Sequence, residues 1–307
     1  MPTLKNNIFN APFFNVFVYT LFWAVQIVVM KFAFKEGAHP ITFLIYATIF
    51  ILATLSILVV PWKWSEIKEI KRDTLCKIII VNIPFGFAAI FAYTGTALTT
   101  AINAGFLVNV TIVITLILAW IILKEKMTLV KILSALFMLI GVFFLSTKGQ
   151  LIIPHFGDIL ILLATVFWAL GNVLVRKILK HSSVSGEVVS FFRPLSTLAL
   201  VAIFVLSAPI FPLNIENVLN VNFLNFSYVI LAIVVGILTA GISIFLNRTL
   251  KVASASYVAM MSIMTSVMVA LLAILFLNEG MVLIQIFGAT LIILSGIATH
   301  YSGISKQ

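Results

Sequence analysis

The chain has 307 residues, of which 63% are hydrophobic and 9% carry a formal charge. A soluble domain is about 45–50% apolar and about 25% charged, so this chain lacks the polar surface that would coat a water-soluble globule. Its net charge of +10 would suggest nucleic acid in a soluble protein, and its one cysteine, Cys76, excludes an internal disulfide and a Cys-based metal site.

A helix needs about 20 mostly apolar residues, rising 1.5 Å each, to cross about 30 Å of hydrocarbon. Reading from charge to charge gives apolar windows at 6–30, 37–62, 78–123, 132–147, 159–175, 194–215, 217–247, 252–278 and 280–305. The third window is about twice a single crossing and divides at the polar patch Thr99-Thr100-Ala101-Ile102-Asn103. The two shortest windows reach crossing length when Lys131, Lys148 and Arg176 extend their charged ends to the headgroups. The first window runs directly into Lys31 and Lys35 without a cleavage-site pattern, so it reads as a retained span and not a signal peptide. Ten spans follow, with short connections except at 62–77 and 208–225.

The basic residues set the orientation. With the N-terminus cytoplasmic, 15 of the 19 Lys and Arg fall inside, including Lys63, Lys68, Lys71, Arg72 and Lys77 of one loop and Lys124, Lys126 and Lys131 of another. Only Lys31, Lys35 and Lys148 fall outside, and Arg193 lies within a span. The positive charge is topological, and nucleic acid is not needed to explain it.

The sequence also repeats. Phe22-Trp23-Ala24 recurs as Phe167-Trp168-Ala169, and at the same offset Lys31 matches Arg176 and Lys35 matches Lys180. Further along, Thr111 and Glu125 match Thr265 and Glu279, the offset being larger by roughly the extra length of the 208–225 connection. Five spans per repeat is an odd number, so the second half enters the membrane from the opposite side. Inverted repeats of this kind place a substrate site near the midplane where the halves meet.

With the duplication, these residues resemble the drug/metabolite transporter superfamily, specifically its ten-helix EamA-like members. The resemblance covers the whole chain. It is carried by the Phe-Trp-Ala starts of the first and sixth spans, and by the acidic endings Leu123-Lys124-Glu125-Lys126 and Leu277-Asn278-Glu279-Gly280. Gly141 and Gly296, in the apolar stretches after each glutamate, add to it. The chain departs from the family where a proline is common in the fourth and ninth spans, with Thr111 and Thr265 near those places. An arginine similar to the family's in the second and seventh spans occurs only as Arg193, the second span having Tyr46-Ala47. The resemblance implies export or exchange of small metabolites, often amino acids, by alternating access.

Several residues have the chemistry for a substrate pathway. Ionisable groups within spans are costly and functional by default. Arg193, beside Pro194, is suited to a bidentate contact with a carboxylate or phosphate; its ordinary role would be to snorkel to the surface or tie the seventh span to a neighbour. Trp23 and Gln26 share one helical face, as do Trp168 and Asn172. As repeat partners, the two pairs are expected to face each other and to offer donors and acceptors without fixed charge. The alternative is an interfacial tryptophan belt with amide bonds between helices. In the ninth span Tyr257, Met261, Met264 and Met268 form a stripe suited to an adaptable cavity, or to plain packing. Tyr93 and Asn109 are further candidates of the same kind. Glu125 and Glu279, at span ends, are expected to cap loops and pair with Lys124 or Lys126, with gating as their functional alternative.

No carboxylate stands at mid-span, which argues against proton-driven export of cations. The four histidines make no metal-ligand spacing, and no hydrolase elbow, zinc-protease helix or phosphate-cradling glycine loop occurs. The sequence therefore predicts an all-α integral membrane protein with ten transmembrane helices in two inverted five-helix repeats, 1–150 and 151–307. Both termini are cytoplasmic, and the membrane is the cytoplasmic (inner) one. Its expected activity is secondary transport of a small polar or zwitterionic metabolite, by export or exchange, with protons or a counter-substrate as coupling partner. No cofactor and no enzymatic activity are expected. Import or exchange of a nucleotide-derived or other anionic metabolite is the alternative within transport, and a non-transporting scaffold is the alternative from another class.

Overall fold

A computed structural model describes residues 12–99, 101–151, 155–207, 226–277 and 281–304, and every element within them is helical. The helices are α1 (Pro12–Lys35), α2 (Pro40–Lys68), α3 (Arg72–Leu98), α4 in two pieces (Ala101–Leu107 and Thr111–Leu123), α5 (Leu129–Thr147), α6 (Phe156–His181), α7 (Gly186–Ser207), α8 (Phe226–Val252), α9 in two pieces (Ala255–Met261 and Met264–Leu277) and α10 (Leu283–Ile304). Ten of these segments are long and apolar enough to cross a membrane. The connection at 208–225 and Glu279 lie outside the described residues.

The long third window divides where the polar patch stands, α3 ending at Leu98 and α4 beginning at Ala101. Helix α2 outruns its window, passing Lys63, where the backbone leaves helical values two residues after Pro61. Two other helices are interrupted. A 3₁₀ turn, Val108–Val110, separates the pieces of α4, and Ser262 and Ile263 separate those of α9. The expected Tyr257–Met268 stripe is therefore not one continuous face: the break falls between Met261 and Met264.

The outer wall is apolar. Ile57, Leu206, Leu275 and Leu283 are each more than two-thirds exposed, a surface that is stable only against hydrocarbon. Inside, α3 packs on α6 as α1 packs on α8, and α4 packs on α6 as α1 packs on α9. The remaining principal pairings include α5 on α10 and α2 on α7. Each of these pairings recurs, or maps onto itself, when five is added to or subtracted from the helix numbers, so their arrangement follows the repeat seen in the sequence.

Close crossings hold two of these pairs. A Cβ on Gly141 would stand 2.7 Å from the carbonyl oxygen of Gly288, and one on Gly288 would stand 2.5 Å from that of Gly141. Helices α5 and α10 thus touch backbone to backbone, as small residues allow in a membrane, where packing replaces the hydrophobic effect. Likewise a Cβ on Gly157 of α6 would lie 2.6 Å from the carbonyl oxygen of Gly95 on α3. Gly288→Val should separate α5 from α10 and cost about 1–3 kcal/mol. It should lower the melting temperature in detergent, while Ile293→Val on the exposed face leaves it nearly unchanged.

Candidate functional site

The five tryptophans fall into two groups. Trp62, Trp64 and Trp120 are 84%, 51% and 57% exposed, and they stand towards the ends of α2 and α4, as interfacial tryptophans do. Trp23 of α1 and Trp168 of α6 instead meet inside the bundle, edge to face, with ring centroids 6.3 Å apart and an interplanar angle of 79°. Both pack against the largest buried cluster, which includes Tyr19, Ile78, Phe85, Val173 and Tyr257. An aromatic contact of this geometry contributes about 0.5–1.5 kcal/mol beyond area burial. It also brings the two Phe-Trp-Ala motifs together across the repeat.

Beside these rings the polar side chains are incompletely satisfied. Gln26 is buried, and its Nε2 donates to the Met30 sulfur, at 3.7 Å. The Oδ1 of Asn172, one turn from Trp168, is buried without a partner among the described residues, as are the hydroxyls of Thr115 and Thr265. A buried acceptor left unpaired costs about 1–3 kcal/mol, and such atoms mark places where a ligand or a water belongs.

Arg193 lies in a polar cluster between α7 and α8. Its Nη1 donates to Ser243 Oγ at 3.2 Å and its Nη2 to Asn247 Oδ1 at 3.1 Å, while the guanidinium carbon sits 3.8 Å from the centre of the Phe85 ring. The surface-snorkelling role is thereby replaced by an interhelical one. Asn109 lies in the 3₁₀ turn of α4, where its Nδ2 donates to the Gly105 carbonyl at 2.7 Å and its Oδ1 accepts from Ser266 of α9 at 3.4 Å. The breaks in α4 and α9 are thus joined to each other by side chains.

The two tyrosine candidates fall in different clusters. Tyr93 belongs to a separate buried cluster, packed with Phe34 and Phe43 near the end of α1 and the start of α2. Tyr257 is in the first turn of α9, its hydroxyl 3.0 Å from His300 Nδ1. Tyr257 and Met261 share the buried cluster against which the Trp pair packs, and the break at Ser262 and Ile263 separates them from Met264 and Met268.

Both ends of the bundle are tied. At the end holding the basic loops, Glu125 at the close of α4 accepts from the backbone N–H of Ala255 at 2.8 Å, from that of Ser256 at 3.2 Å, and from the Ser256 hydroxyl. It therefore caps the N-terminus of α9 in place of the expected pairing with Lys124 or Lys126. Arg176 donates to the Leu250 and Lys251 carbonyls, both at 2.7 Å, and Arg248 pairs with Glu187 at 2.6 Å. At the other end, Asp158 of α6 accepts from the Thr99 hydroxyl, from Asn103 Nδ2 and from the His155 N–H, joining α3, α4 and α6.

Sequence reasoning missed this acid, although His155 and Asp158 have the spacing of a capping box ahead of an apolar run. It also missed Ser190, Ser243 and Asn247. Their signal was a polar spacing of three (Ser190, Arg193) and four (Ser243, Asn247), which places each pair on one helical face.

Among the described residues no three of His, Cys, Asp and Glu come together as metal ligands. A shallow outward groove between α5 and α10, lined by Val130, Leu133, Phe137, Leu291 and Leu294, includes none of the candidate residues.

A family model described as the EamA-like transporter family matches twice, over residues 12–147 and 155–299. The chain belongs to this family. It is 26% identical over 297 residues to a protein of Clostridium kluyveri named as an uncharacterized transporter, covering 92% of this chain and 90% of that one. It is 30% identical over 138 residues to the uncharacterized transporter YyaM of Bacillus subtilis (strain 168), covering 43% of this chain. The chain matches 45% of the length of YyaM, and 65% of that of an uncharacterized transporter of Archaeoglobus fulgidus at 28% identity. A crystal structure superposes with a TM-score of 0.74 at 17% identity, over 95% of this chain and 96% of the other, and shares the fold. The protein is accordingly a multi-pass membrane protein of a transporter family.

Removing the carboxylate of Glu125 strands three donors at the start of α9. Glu125→Ala should destabilise the protein by about 1–3 kcal/mol. Glu125→Gln, which keeps a carbonyl acceptor but loses the charge favoured at a helix N-terminus, should cost less. Thermal unfolding of the two purified variants checks the order.

Proposed function

We propose that this EamA-family protein is a secondary transporter of a small polar or zwitterionic metabolite, working by alternating access as an exporter or exchanger in the cytoplasmic membrane. The observation that carries the reading is the contact of Trp23 with Trp168 between repeat-related helices, beside the unpaired buried amide oxygen of Asn172. Trp23, Gln26, Trp168 and Asn172 line the central site. Their indoles and amides suit a compound with both donors and acceptors, and the buried cluster around them excludes water.

In this reading the two inverted halves, 1–150 and 151–307, open one shared site first inward and then outward, with both termini cytoplasmic. Between the halves, one end of the bundle is held by Glu125 on the start of α9 and the other by Asp158 on Thr99 and Asn103. Opening either end requires its own set of bonds to break while the other set holds, which is what alternating access demands. The sequence has no phosphate-cradling loop, so a gradient supplies the energy, through protons or a counter-substrate, and the gradients set the direction.

The test is uptake of labelled amino acids and related metabolites by purified protein in liposomes, with and without a pH gradient. Trp168→Ala and Asn172→Ala should each lower saturable flux by about 10-fold or more, the loss of one well-made contact, while the protein inserts normally. Unchanged flux in both variants removes this pair from the pathway.

A further inference from the structure

We propose that the transported compound carries a carboxylate and that Arg193 holds it. This rests on the transporter reading above and gives that site its substrate class.

A guanidinium offers five N–H donors. Nη1 uses one on Ser243 and Nη2 uses one on Asn247, while Nε is buried with no partner among the described residues. Among those residues no carboxylate pairs with Arg193, whereas Arg248, further towards the basic end of α8 than Ser243, has Glu187 at 2.6 Å. A cation set between helices with neutral partners only is a charge awaiting its counter-ion.

The neutral partners are themselves held in place. Asn247 Nδ2 donates to Ser190 Oγ at 2.8 Å, which leaves its Oδ1 turned to the guanidinium. The single O–H of Ser190 has the Gly186 and Ser243 carbonyls as its acceptors, both 2.9 Å from Oγ. Gly186 lets α7 come this close to α8, since a Cβ there would stand 2.8 Å from the Asn247 carbonyl carbon. With one face of the guanidinium covered by Phe85, its buried Nε–H is the donor left without a partner among the described residues, and with an Nη–H it forms the edge that makes a side-on, two-point contact. That is the geometry in which Arg recognises a carboxylate.

The same Phe85 ring connects this cluster to the central site. A Cβ on Gly171 would lie 2.7 Å from Phe85 Cε2, and Gly171 precedes Asn172. Depth agrees. Arg193 is roughly 10 Å along α7 from Gly186, and Asn172 roughly 14 Å from the His181 end of α6, at 1.5 Å per residue. Both are on the basic-loop side of the Trp pair. A substrate resting against the indoles thus places its acid group towards the basic end. The two-point edge of one guanidinium matches the paired oxygens and the single charge of a carboxylate.

The experiment reconstitutes wild type, Arg193→Lys and Arg193→Gln in liposomes. Each protein is offered a panel of labelled amino acids, every one paired with the amine left by its decarboxylation. Wild type should move amino acids and not their amines. Arg193→Gln should raise KM for the best amino acid by about 10–100-fold, the worth of a hydrogen bond to a charged group. Arg193→Lys should recover part of that loss. Heating the wild-type protein with each compound tests the same point without a variant: the amino acid should protect and its amine should not. Transport or protection by the amines equal to that by the amino acids overturns the proposal and leaves the transporter reading standing. So does an unchanged KM in Arg193→Gln, which would make Arg193 a tie between α7 and α8. Flux of neither series by wild type removes both readings together.

Discussion

A helix in hydrocarbon has no water to receive the polar groups it carries, so each must be satisfied inside the protein. Most here are satisfied locally. The hydroxyls of Thr48, Thr54, Ser56, Thr96, Thr239 and Thr249 each donate to the carbonyl four residues back in their own helix. These bonds leave the helix faces smooth and let glycines such as Gly141 and Gly288 bring backbones into contact. Against this background the exceptions are informative. Asn172, Thr115, Thr265 and the Nε of Arg193, on α6, α4, α9 and α7, keep unpaired buried atoms, as do Asn15 on α1 and Asn82 on α3.

The cross-bundle polar bonds are concentrated at the two ends. Glu125 and Asp158 resemble each other in use: each is a carboxylate that collects several donors from a neighbouring helix terminus, and each fixes one end of α4. Between them α4 is interrupted by a 3₁₀ turn, tied through Asn109 to the matching interruption in α9. A helix pinned at both ends and broken in the middle bends at the break when one pin is released. Proline, which commonly breaks helices, is absent from both breaks. The side chains of Asn109, Thr111 and Ser266 take up backbone or side-chain bonds there instead.

Much of this was legible in the sequence, because the membrane imposes a length and a composition that few other environments do. The ten spans, the turn at Thr99–Asn103 and the repeat joining Trp23 to Trp168 all follow from apolar run length and matched spacing. The boundaries were less legible where charge was taken as the end of a helix: α2 runs past Lys63 because a lysine stem lies comfortably at the interface. The break within α9 was hidden, since Ser262 and Ile263 are ordinary helix residues and the interruption arises from packing. Tyr93 joins a separate cluster with Phe34 and Phe43, a neighbourhood that one-dimensional spacing does not reveal. The Arg193 cluster was half visible, its arginine conspicuous and its Ser243 and Asn247 partners fifty residues away or more.

In the proposed mechanism, opening the basic end parts α4 from α9 at Glu125, and that motion can be stopped directly. In protein whose exposed Cys76 is replaced by serine, cysteines at positions 125 and 256, where the close of α4 meets the start of α9, would be joined by a short bis-maleimide linker, and flux compared with that of the unlinked protein. The unlinked double variant sets the baseline, and a cleavable linker allows the bond to be undone. Linking should abolish the residual flux, and cleavage should restore it. Flux that continues undiminished in fully linked protein would contradict the proposed alternating-access mechanism, showing that transport does not depend on movement between these helices.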